Sequence, residues 1–445
     1  MIDRNIYINL EIWKDSKNRK PLILRWARQV WKSFAVEEFA KKNFKKLHKI
    51  NFQSNKKAFL IFDWDLETNE IIKKLEYILN TDININTDLL FFDEIQECPN
   101  AINSLKFFCE DLPELAIISA GSYLWFVKNE SSFPVWKVEY LSMFPLTFEE
   151  FLKAINKRLF DFYQNINIWE VIDELIHKEL LKTFYLYLAV WWMPEVVQIY
   201  IDLWSNPSVE NLNKIRKIQN NLLESYKSDF SKHAWVVNSN HILSVYESIS
   251  SQLSKSFDNE VDKFKFSWVI SNQKWYDRII WPLTWLSKAR LVIKNFIISG
   301  IETPLRSNII NNRFKVFFHD IWLLNASLNT QMSSIMDSMN IWYYKWYIVE
   351  NFVAIELYAI FDMDINSWEK WQSEIEFLLE YNNNVIPLEV KSSSKSRKAK
   401  SLDSYVKRYN PKFAYKLSTQ NYGFNKDKGY YTLPLYMIWK VFISK

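Results

Sequence analysis

Apolar and polar residues alternate in blocks along the first third of the chain, and these blocks predict strands and helices in turn. Short apolar runs at 21–25, 88–95 and 115–122 are typical of buried parallel strands, which appear as continuous hydrophobic segments. Between them, residues 32–42 and 101–112 carry apolar side chains at helical spacing. Strands that alternate with helices predict an α/β domain whose parallel sheet is covered by helices.

The pattern changes twice further along the chain. Residues 148–266 are mostly helical in spacing, and the pattern predicts a helical middle region. A helix at 276–289 followed by a strand at 291–298 fits a winged-helix unit, and it fits equally well a helix and strand that simply pack together. Two apolar strands at 375–381 and 385–391 flank an asparagine-rich turn and predict a β-hairpin. These changes divide the chain into predicted domains at 1–155, 156–300 and 301–445.

Residues 26–33 contain the first chemical motif, WARQVWKS, between a predicted strand and a predicted helix. With glycine at both tryptophan positions, this segment is the G-x-x-x-x-G-K-S phosphate-binding loop. The N–H groups of such a loop surround the phosphates, Lys32 would neutralise their charge, and the Ser33 hydroxyl would bind Mg²⁺. The predicted ATP-binding residues are Trp26, Ala27, Arg28, Gln29, Val30, Trp31, Lys32 and Ser33.

The second motif, LLFFDEIQ at 89–96, places two acids after a buried strand. Asp93 is predicted to hold Mg²⁺ together with Ser33, and Glu94 to orient or deprotonate the attacking water, with Lys32 as the second catalytic residue. A strand at 46–52 lies between the two motifs along the chain, which fits ATPases with an acidic catalytic residue. The candidates for a γ-phosphate sensor or a finger-type cation are Ser119, Ser122, Lys137 and Arg28.

The composition is unusual in two residue types, with only 4 glycines and 21 tryptophans. Ordinary glycine usage of roughly 7% would give about 31 glycines. Turns and helix ends need residues that tolerate positive φ, which bulky side chains do not. We therefore expect most tryptophans to stand for glycine, as happens when UGA is a glycine codon in the cell but is translated as tryptophan. The alternative is a genuinely tryptophan-rich chain, in which indoles at 26 and 31 would crowd the phosphate loop and weaken ATP binding.

These motifs together resemble bacterial and archaeal AAA-type ATPases that carry a C-terminal domain of unknown function with a PD-(D/E)xK nuclease-like signature. The resemblance implies a P-loop ATPase domain, a helical or winged-helix middle and a restriction-endonuclease-like α/β end. It is carried by residues 19–33, 89–99, 104–111, 118–125, 132–152, 191–197, 229–234, 345–357 and 374–392. It implies glycine at Trp26, Trp31, Trp125, Trp136, Trp191, Trp192, Trp322 and Trp346, and genuine tryptophan at Trp13, Trp285 and Trp368.

The nuclease-like signature needs carboxylates on adjacent strands and a nearby lysine, which would bind Mg²⁺ or Mn²⁺ and activate water. Glu389 and Lys391 are two residues apart on one predicted strand and therefore share a face. Glu376 lies on the partner strand, where the family usually has aspartate, and Glu350 on the preceding helix could add a ligand. The alternative is that this strand has only a solvated polar face.

The basic run at 391–400 also has two interpretations. It either follows a phosphate backbone of a nucleic acid or is a solvated loop.

The overall composition bears on possible nucleic-acid binding, disulfides, zinc sites and membrane segments. The net charge of +5 permits nucleic-acid binding without requiring it. Two cysteines and five histidines predict neither a disulfide framework nor a zinc site. The longest apolar run, 184–193, is about half a membrane span, and the polar start lacks signal-peptide character, so we expect a cytoplasmic protein without a membrane segment.

Three functional interpretations are compatible with the sequence. The first is an ATPase that uses ATP and Mg²⁺ and couples hydrolysis to a change in the C-terminal domain, with DNA as a candidate partner. The second is a binding module switched by ATP, with an inactive nuclease-like platform. The third is a Mg²⁺-dependent DNase gated by ATP. The oligomeric state and a protein partner are left open.

Overall fold

The computed structural model describes most of the chain in two compact units, Ile2–Pro145 and Leu146–Lys445. The described residues are 2–25, 32–63, 67–121, 136–190, 194–203, 209–233, 236–255, 263–269, 276–321, 324, 327–328, 346–370, 373–391 and 399–443. Within these ranges, no helix combines the length and the apolar content that a membrane span requires.

The first unit contains a five-stranded parallel sheet, as the alternating pattern predicts. Its strands are β1 (Leu22–Arg25), β2 (Leu47–Asn51), β3 (Leu89–Asp93), β4 (Ala116–Gly121) and β5 (Glu139–Ser142), in the order β2-β3-β4-β1-β5. Its helices are α1 (Ile6–Asp15), α2 (Lys32–Asn43), α3 (Thr68–Leu79) and α4 (Pro99–Asp111). All five residues of β3 are buried, because a central parallel strand is covered on both faces.

The order of these strands determines which residues meet. β4 lies between β1 and β3 in the sheet, and β2 lies at the edge beyond β3. The strand inserted between the two motif strands in space is therefore β4. The strand at 46–52 lies between the motifs only along the chain, because sequence order does not fix the order of strands in a sheet.

The second unit begins with helices, which confirms the helical pattern of residues 148–266. The first of them, α5 (Phe148–Ile155), starts at a capping box in which Thr147 and Glu150 satisfy each other's backbone N–H groups. The helices that follow are α6 (Lys157–Asn165), α7 (Glu174–Val190), α8 (Pro194–Leu203), α9 (Val209–His233), α10 (Val236–Lys255) and α11 (Tyr276–Lys288).

Among the described residues, the second unit also contains further helices and a mixed eight-stranded sheet, in the order β12-β13-β11-β10-β9-β8-β6-β7. The strands are β6 (Val292–Ile298), β7 (Ile309–Phe318), β8 (Ile365–Lys370), β9 (Ser373–Tyr381), β10 (Asn384–Val390), β11 (Tyr415–Ser418), β12 (Gly423–Asn425) and β13 (Tyr430–Pro434). The helices are α12 (Trp346–Phe361), α13 (Lys400–Tyr409) and α14 (Ile438–Ile443).

The structure differs from the winged-helix interpretation of residues 276–298. Strand β6 lies inside the sheet, antiparallel to β7 and parallel to β8. Six of its seven residues are buried, as an interior strand requires, whereas the strand of a wing leaves one face open. The alternative of a helix and strand that pack together fits the structure. Residue 300 consequently falls between two paired strands of one sheet.

The predicted hairpin forms as expected. Strands β9 and β10 are antiparallel, and Asn384 pairs with Tyr381 across a two-residue turn. Asn382 and Asn383 have φ of 48° and 59°. Two successive left-handed residues make a turn whose twist matches that of the strands, and asparagine tolerates this conformation better than most side chains.

Candidate functional site

The two predicted magnesium ligands meet at the carboxyl edge of the first sheet. Ser33 is the second residue of α2, which follows β1, and Asp93 is the last residue of β3. The Ser33 Oγ donates a hydrogen bond of 2.8 Å to Asp93 Oδ2, and Asp93 is buried. Lys32, the first residue of α2, is also buried. Residues 26–31 of the predicted loop, Trp26 to Trp31, lie outside the described residues.

Two further side chains hold Asp93, and the motif analysis missed both. Asn51 Nδ2 donates to Asp93 Oδ2 at 3.1 Å, and Lys49 Nζ lies 3.3 Å from the same oxygen. Lys49 and Asn51 are two residues apart on β2, so they share a face, and Asn51 pairs with Asp93 in the sheet. Their signal in the sequence is two polar residues at alternate positions near the end of a strand. It has meaning only once β2 is known to pair with β3.

Glu94, the predicted catalytic acid, directly follows Asp93 in a left-handed conformation with φ of 52°. This conformation is uncommon for a residue with a side chain, and such residues are concentrated at functional sites. Glu94 is partly exposed, and its Oε2 accepts a hydrogen bond of 2.6 Å from Gln96 Nε2. The carboxylate is therefore oriented by a neighbour yet accessible to solvent.

The four sensor or finger candidates have different outcomes. Ser119 is fully buried on β4, between β1 and β3, and its Oγ has no hydrogen-bond partner among the described residues. Ser122 lies outside the described residues, as does Arg28. The structure does not bring Lys137 to the site, because Lys137 precedes β5 at the amino edge of the parallel sheet, where Glu139 pairs with Leu22. There Lys137 forms an ion pair of 2.9 Å with Glu110, whose hydrogen bond raises the lysine pKa.

The side-chain oxygens of Ser33 and Asp93 are chemically suited to bind Mg²⁺. Hydroxyl and carboxylate oxygens are hard ligands, and protein sites for Mg²⁺ with nucleotides usually supply only one or two of them beside the phosphates. Among the described residues, no group of three or more histidines, cysteines, aspartates or glutamates is placed to hold a metal ion. The residues present therefore fit a cation that arrives with phosphate, and they do not form a metal cage of their own.

A second cluster of acids and lysines lies on the sheet of the second unit. Lys391 Nζ lies 3.3 Å from Glu376 Oε1 and 2.5 Å from Glu389 Oε1. Both glutamates are buried, and the Oε2 atom of each has no hydrogen-bond partner among the described residues. Burial and the nearby Glu389 raise the pKa of Glu376 to about 8, with Lys391 acting in the opposite direction. The two carboxylates outweigh the effect of burial on Lys391 and raise its pKa.

Glu350 is paired elsewhere, so the structure does not support its predicted place in a four-ligand set. Lys315 Nζ on β7 lies 3.1 Å from Glu350 Oε1 and 2.6 Å from Glu374 Oε1. Burial raises the pKa of Glu350 more than Lys315 lowers it. Sequence reasoning missed Lys315, whose signal is a single cation in the apolar end of β7, FKVFF. Glu350 and Glu376 are therefore paired with different lysines.

Comparisons with known proteins identify two parts of the chain. Residues 18–152 match a family model described as an AAA domain, and residues 347–438 match one described as a domain of unknown function, DUF4143. No curated protein matches the chain.

Solved structures also match the chain. The Walker-type ATPase PABY2304 of Pyrococcus abyssi is 13% identical with a TM-score of 0.46, and the match covers 74% of this chain and 96% of the other. The Aeropyrum pernix ORC1 protein in complex with DNA is 10% identical with a TM-score of 0.31, covering 74% and 92%. Residues 18–152 thus match an AAA domain, and the parallel sheet of this region, with Ser33 and Asp93 in contact at its carboxyl edge, matches a P-loop NTPase fold.

Proposed function

We propose that this protein binds ATP with Mg²⁺ at the carboxyl edge of the first sheet and hydrolyses it. The hydrogen bond between Ser33 and Asp93 is the observation that carries the proposal. It joins the residue after the loop lysine to the acid at the end of β3, across 60 residues of sequence.

Each side chain of the site has a separate role in this proposal. Lys32 and the N-terminus of α2 bind phosphate oxygens, since both attract negative charge. Ser33 and Asp93 hold the magnesium ion, which supplies neutralisation of the charge on the phosphates. Glu94 orients or deprotonates the attacking water, and Ser119 or Ser122 contacts the transferred phosphate. Hydrolysis is coupled to a change in the second unit.

The proposal includes glycine in place of most tryptophans, and the backbone at Trp136 supports this. Trp136 has φ of 71°, in the region that favours glycine, and its side chain is 84% exposed. In contrast, Trp13, Trp285 and Trp368 are buried. Trp13 Nε1 donates to Lys20 O at 2.8 Å, and Trp368 packs edge-on against Tyr405. The gene decides the matter: we expect UGA at codons 26, 31 and 136 and UGG at 13, 285 and 368.

Calorimetry with ATP and Mg²⁺ tests the proposed activity on the full chain carrying Trp26→Gly and Trp31→Gly. We expect binding by this chain and much weaker binding by the sequence as printed. Adding Glu94→Gln should retain binding and lower phosphate release by about 100-fold or more, which is the usual contribution of a general base. Absence of ATP binding to the glycine-containing chain would overturn the proposal.

A second candidate function concerns the Lys391 cluster and DNA. The unpartnered Oε2 atoms of Glu376 and Glu389 favour a cation-dependent DNase gated by ATP. The lysine already between these carboxylates favours the other interpretation, an inactive platform that binds nucleic acid. Cleavage of plasmid DNA with Mg²⁺ or Mn²⁺ distinguishes the two. Cutting that is lost in Lys391→Ala supports the DNase, and DNA binding without cutting supports the platform.

A further inference from the structure

The carboxylate that is proposed to hold Mg²⁺ is also held by a cation of the protein itself. Asp93 Oδ2 receives hydrogen bonds from Ser33 and Asn51, and Lys49 Nζ lies 3.3 Å away. Asn51 cannot easily turn its amide, because its Oδ1 accepts from Gln53 N and Ser54 N, both at 3.0 Å. The Nδ2 of Asn51 is therefore fixed toward Asp93, and it sets the direction of the carboxylate.

Lys49 differs from Asn51 because it has a second carboxylate within reach. Its Nζ lies 2.8 Å from Glu37 Oε1 on α2, the helix that begins with Lys32 and Ser33. The side chains of Lys49 and Glu37 are 33% and 35% exposed, so the ammonium group has room to move between partners. Asp93, in contrast, is buried.

A divalent cation and a lysine ammonium group compete for the same oxygen. Two like charges within a few ångströms repel each other, and the ammonium also cancels part of the charge that attracts Mg²⁺. Lys49 must therefore give up Asp93, at least in part, when Mg²⁺ arrives with ATP. Glu37 provides the site that keeps the ammonium group paired after it leaves.

We propose that Lys49 is a positioning residue that bridges the magnesium carboxylate Asp93 and Glu37, and that it keeps Glu37 as its partner when Mg²⁺ takes Asp93. The inference rests on the proposed ATP site. In the free protein, Lys49 and Asn51 keep Asp93 oriented. When the nucleotide binds, the cost of displacing Lys49 from Asp93 lowers the affinity for Mg²⁺ below that of a carboxylate without a lysine, and Glu37 reduces this cost. Lys49 and Glu37 thus set how strongly the binding of ATP depends on Mg²⁺.

Calorimetry measures this dependence as the ratio of ATP affinity with Mg²⁺ to ATP affinity with excess EDTA. The parent is the full chain with Trp26→Gly and Trp31→Gly. We expect Lys49→Met to raise the ratio by about five- to tenfold and Glu37→Gln to lower it by about threefold. Lys49→Arg should keep the ratio near that of the parent. Lys46→Met is the matched control, because the Lys46 side chain is exposed and its Nζ donates to Thr81 Oγ1, and it should leave the ratio unchanged.

The opposite signs separate a positioning role from loss of structure, which would lower affinity in both variants. In the Lys49→Met background, the effect of Glu37→Gln should shrink, because its partner has been removed. If Lys49→Met does not fold, as judged by circular dichroism, Lys49→Gln replaces it. Equal ratios in Lys49→Met and Lys46→Met overturn the inference while ATP binding by the parent stands. No ATP binding by the parent overturns the proposed function, and the inference with it.

Discussion

The two units each hold buried carboxylates with a lysine, and the two arrangements differ in how firmly the lysine is held. In the first unit, Asp93 accepts hydrogen bonds from two neutral side chains and contacts Lys49, which also pairs with Glu37. In the second unit, Lys391 lies between two buried glutamates and is only 19% exposed. The first arrangement can exchange its cation with little rearrangement, whereas the second must lose an internal ion pair to admit one.

The difference shows why buried acids alone do not identify a metal site. Asp93 has partners that remain compatible with a bound cation, since a serine hydroxyl can bind a metal and still donate to a carboxylate. Glu376 and Glu389 share one ammonium group, and the raised pKa of Glu376 shows that a proton competes there as well. Any cation at the second site must therefore displace both a lysine and a proton.

The largest expected effect separates the two sites by activity. Asp93→Asn should lower ATP hydrolysis by about 100- to 1,000-fold, the usual cost of removing one group that stabilises transition-state charge. Glu389→Gln, the matched change in the second unit, should leave hydrolysis unchanged. Phosphate release measured on both variants in the glycine-containing chain tests this. Equal losses in the two variants would contradict the assignment of hydrolysis to the first unit.

Removal of each lysine compares how much the two arrangements contribute to stability. Lys391→Met leaves two buried glutamates without their shared cation, and we expect a loss of about 3 kcal/mol in unfolding free energy. Lys49→Met should cost about 1 kcal/mol or less, because this lysine is one-third exposed and its ion pairs are screened by solvent. Urea unfolding followed by circular dichroism measures both. A Lys49 variant that is the less stable of the two would reverse the comparison.

The two units should also respond differently to pH. Burial raises the pKa of Glu356 to about 8, although Phe148 N and Tyr187 stabilise its charged form. A carboxyl group with a raised pKa contributes most at low pH, and its contribution is lost as pH rises from about 4.5 to about 8. In Asp88 of the first unit, hydrogen bonds led by His48 outweigh burial and lower the pKa, so its contribution is lost only in acid.

Melting temperatures between pH 5 and 9 test this contrast. We expect the stability of the second unit to fall with rising pH, and Glu356→Gln to flatten part of that slope. Asp88→Asn, the matched change in the first unit, should leave the slope above pH 5 in place. A Glu356→Gln variant with the slope of the parent would show that Glu356 does not carry the pH dependence.

The smallest expected effect concerns the finger candidate that the structure places away from the site. Lys137→Met removes an exposed ion pair with Glu110 at the amino edge of the sheet. ATP affinity and hydrolysis should remain within experimental error of the parent. A loss of more than about tenfold in hydrolysis would show that Lys137 takes part in the reaction, because a loss of that size is typical of a residue that stabilises the transition state.

The sequence was sufficient where the chemistry is local. The Lys-Ser pair between a strand and a helix predicted the position of Ser33, and the acids after a buried strand predicted Asp93. Asn382 and Asn383 marked a turn that needs two left-handed residues. Each of these features depends on neighbours within a few positions, so the pattern of residues contains the information.

The features that could not be predicted depend on the order of strands. Lys49 and Asn51 reach Asp93 only because β2 pairs with β3. Lys137 lies at the wrong edge of the sheet because β5 runs parallel to β1. Likewise, the helix and strand at 276–298 have the same local pattern in a wing and in a mixed sheet. The residues of a short sequence segment do not determine which strands are neighbours in the sheet.

The position of β6 between β7 and β8 has a practical consequence for any dissection of this protein. A fragment that starts at residue 301 lacks the strand that β7 and β8 both need, and it exposes two unsatisfied backbone edges that invite aggregation. The boundary between Pro145 and Leu146 cuts no sheet. Separate expression of the two units should therefore divide the chain there. The helices from Phe148 to Lys288 should stay attached to the strands that follow them.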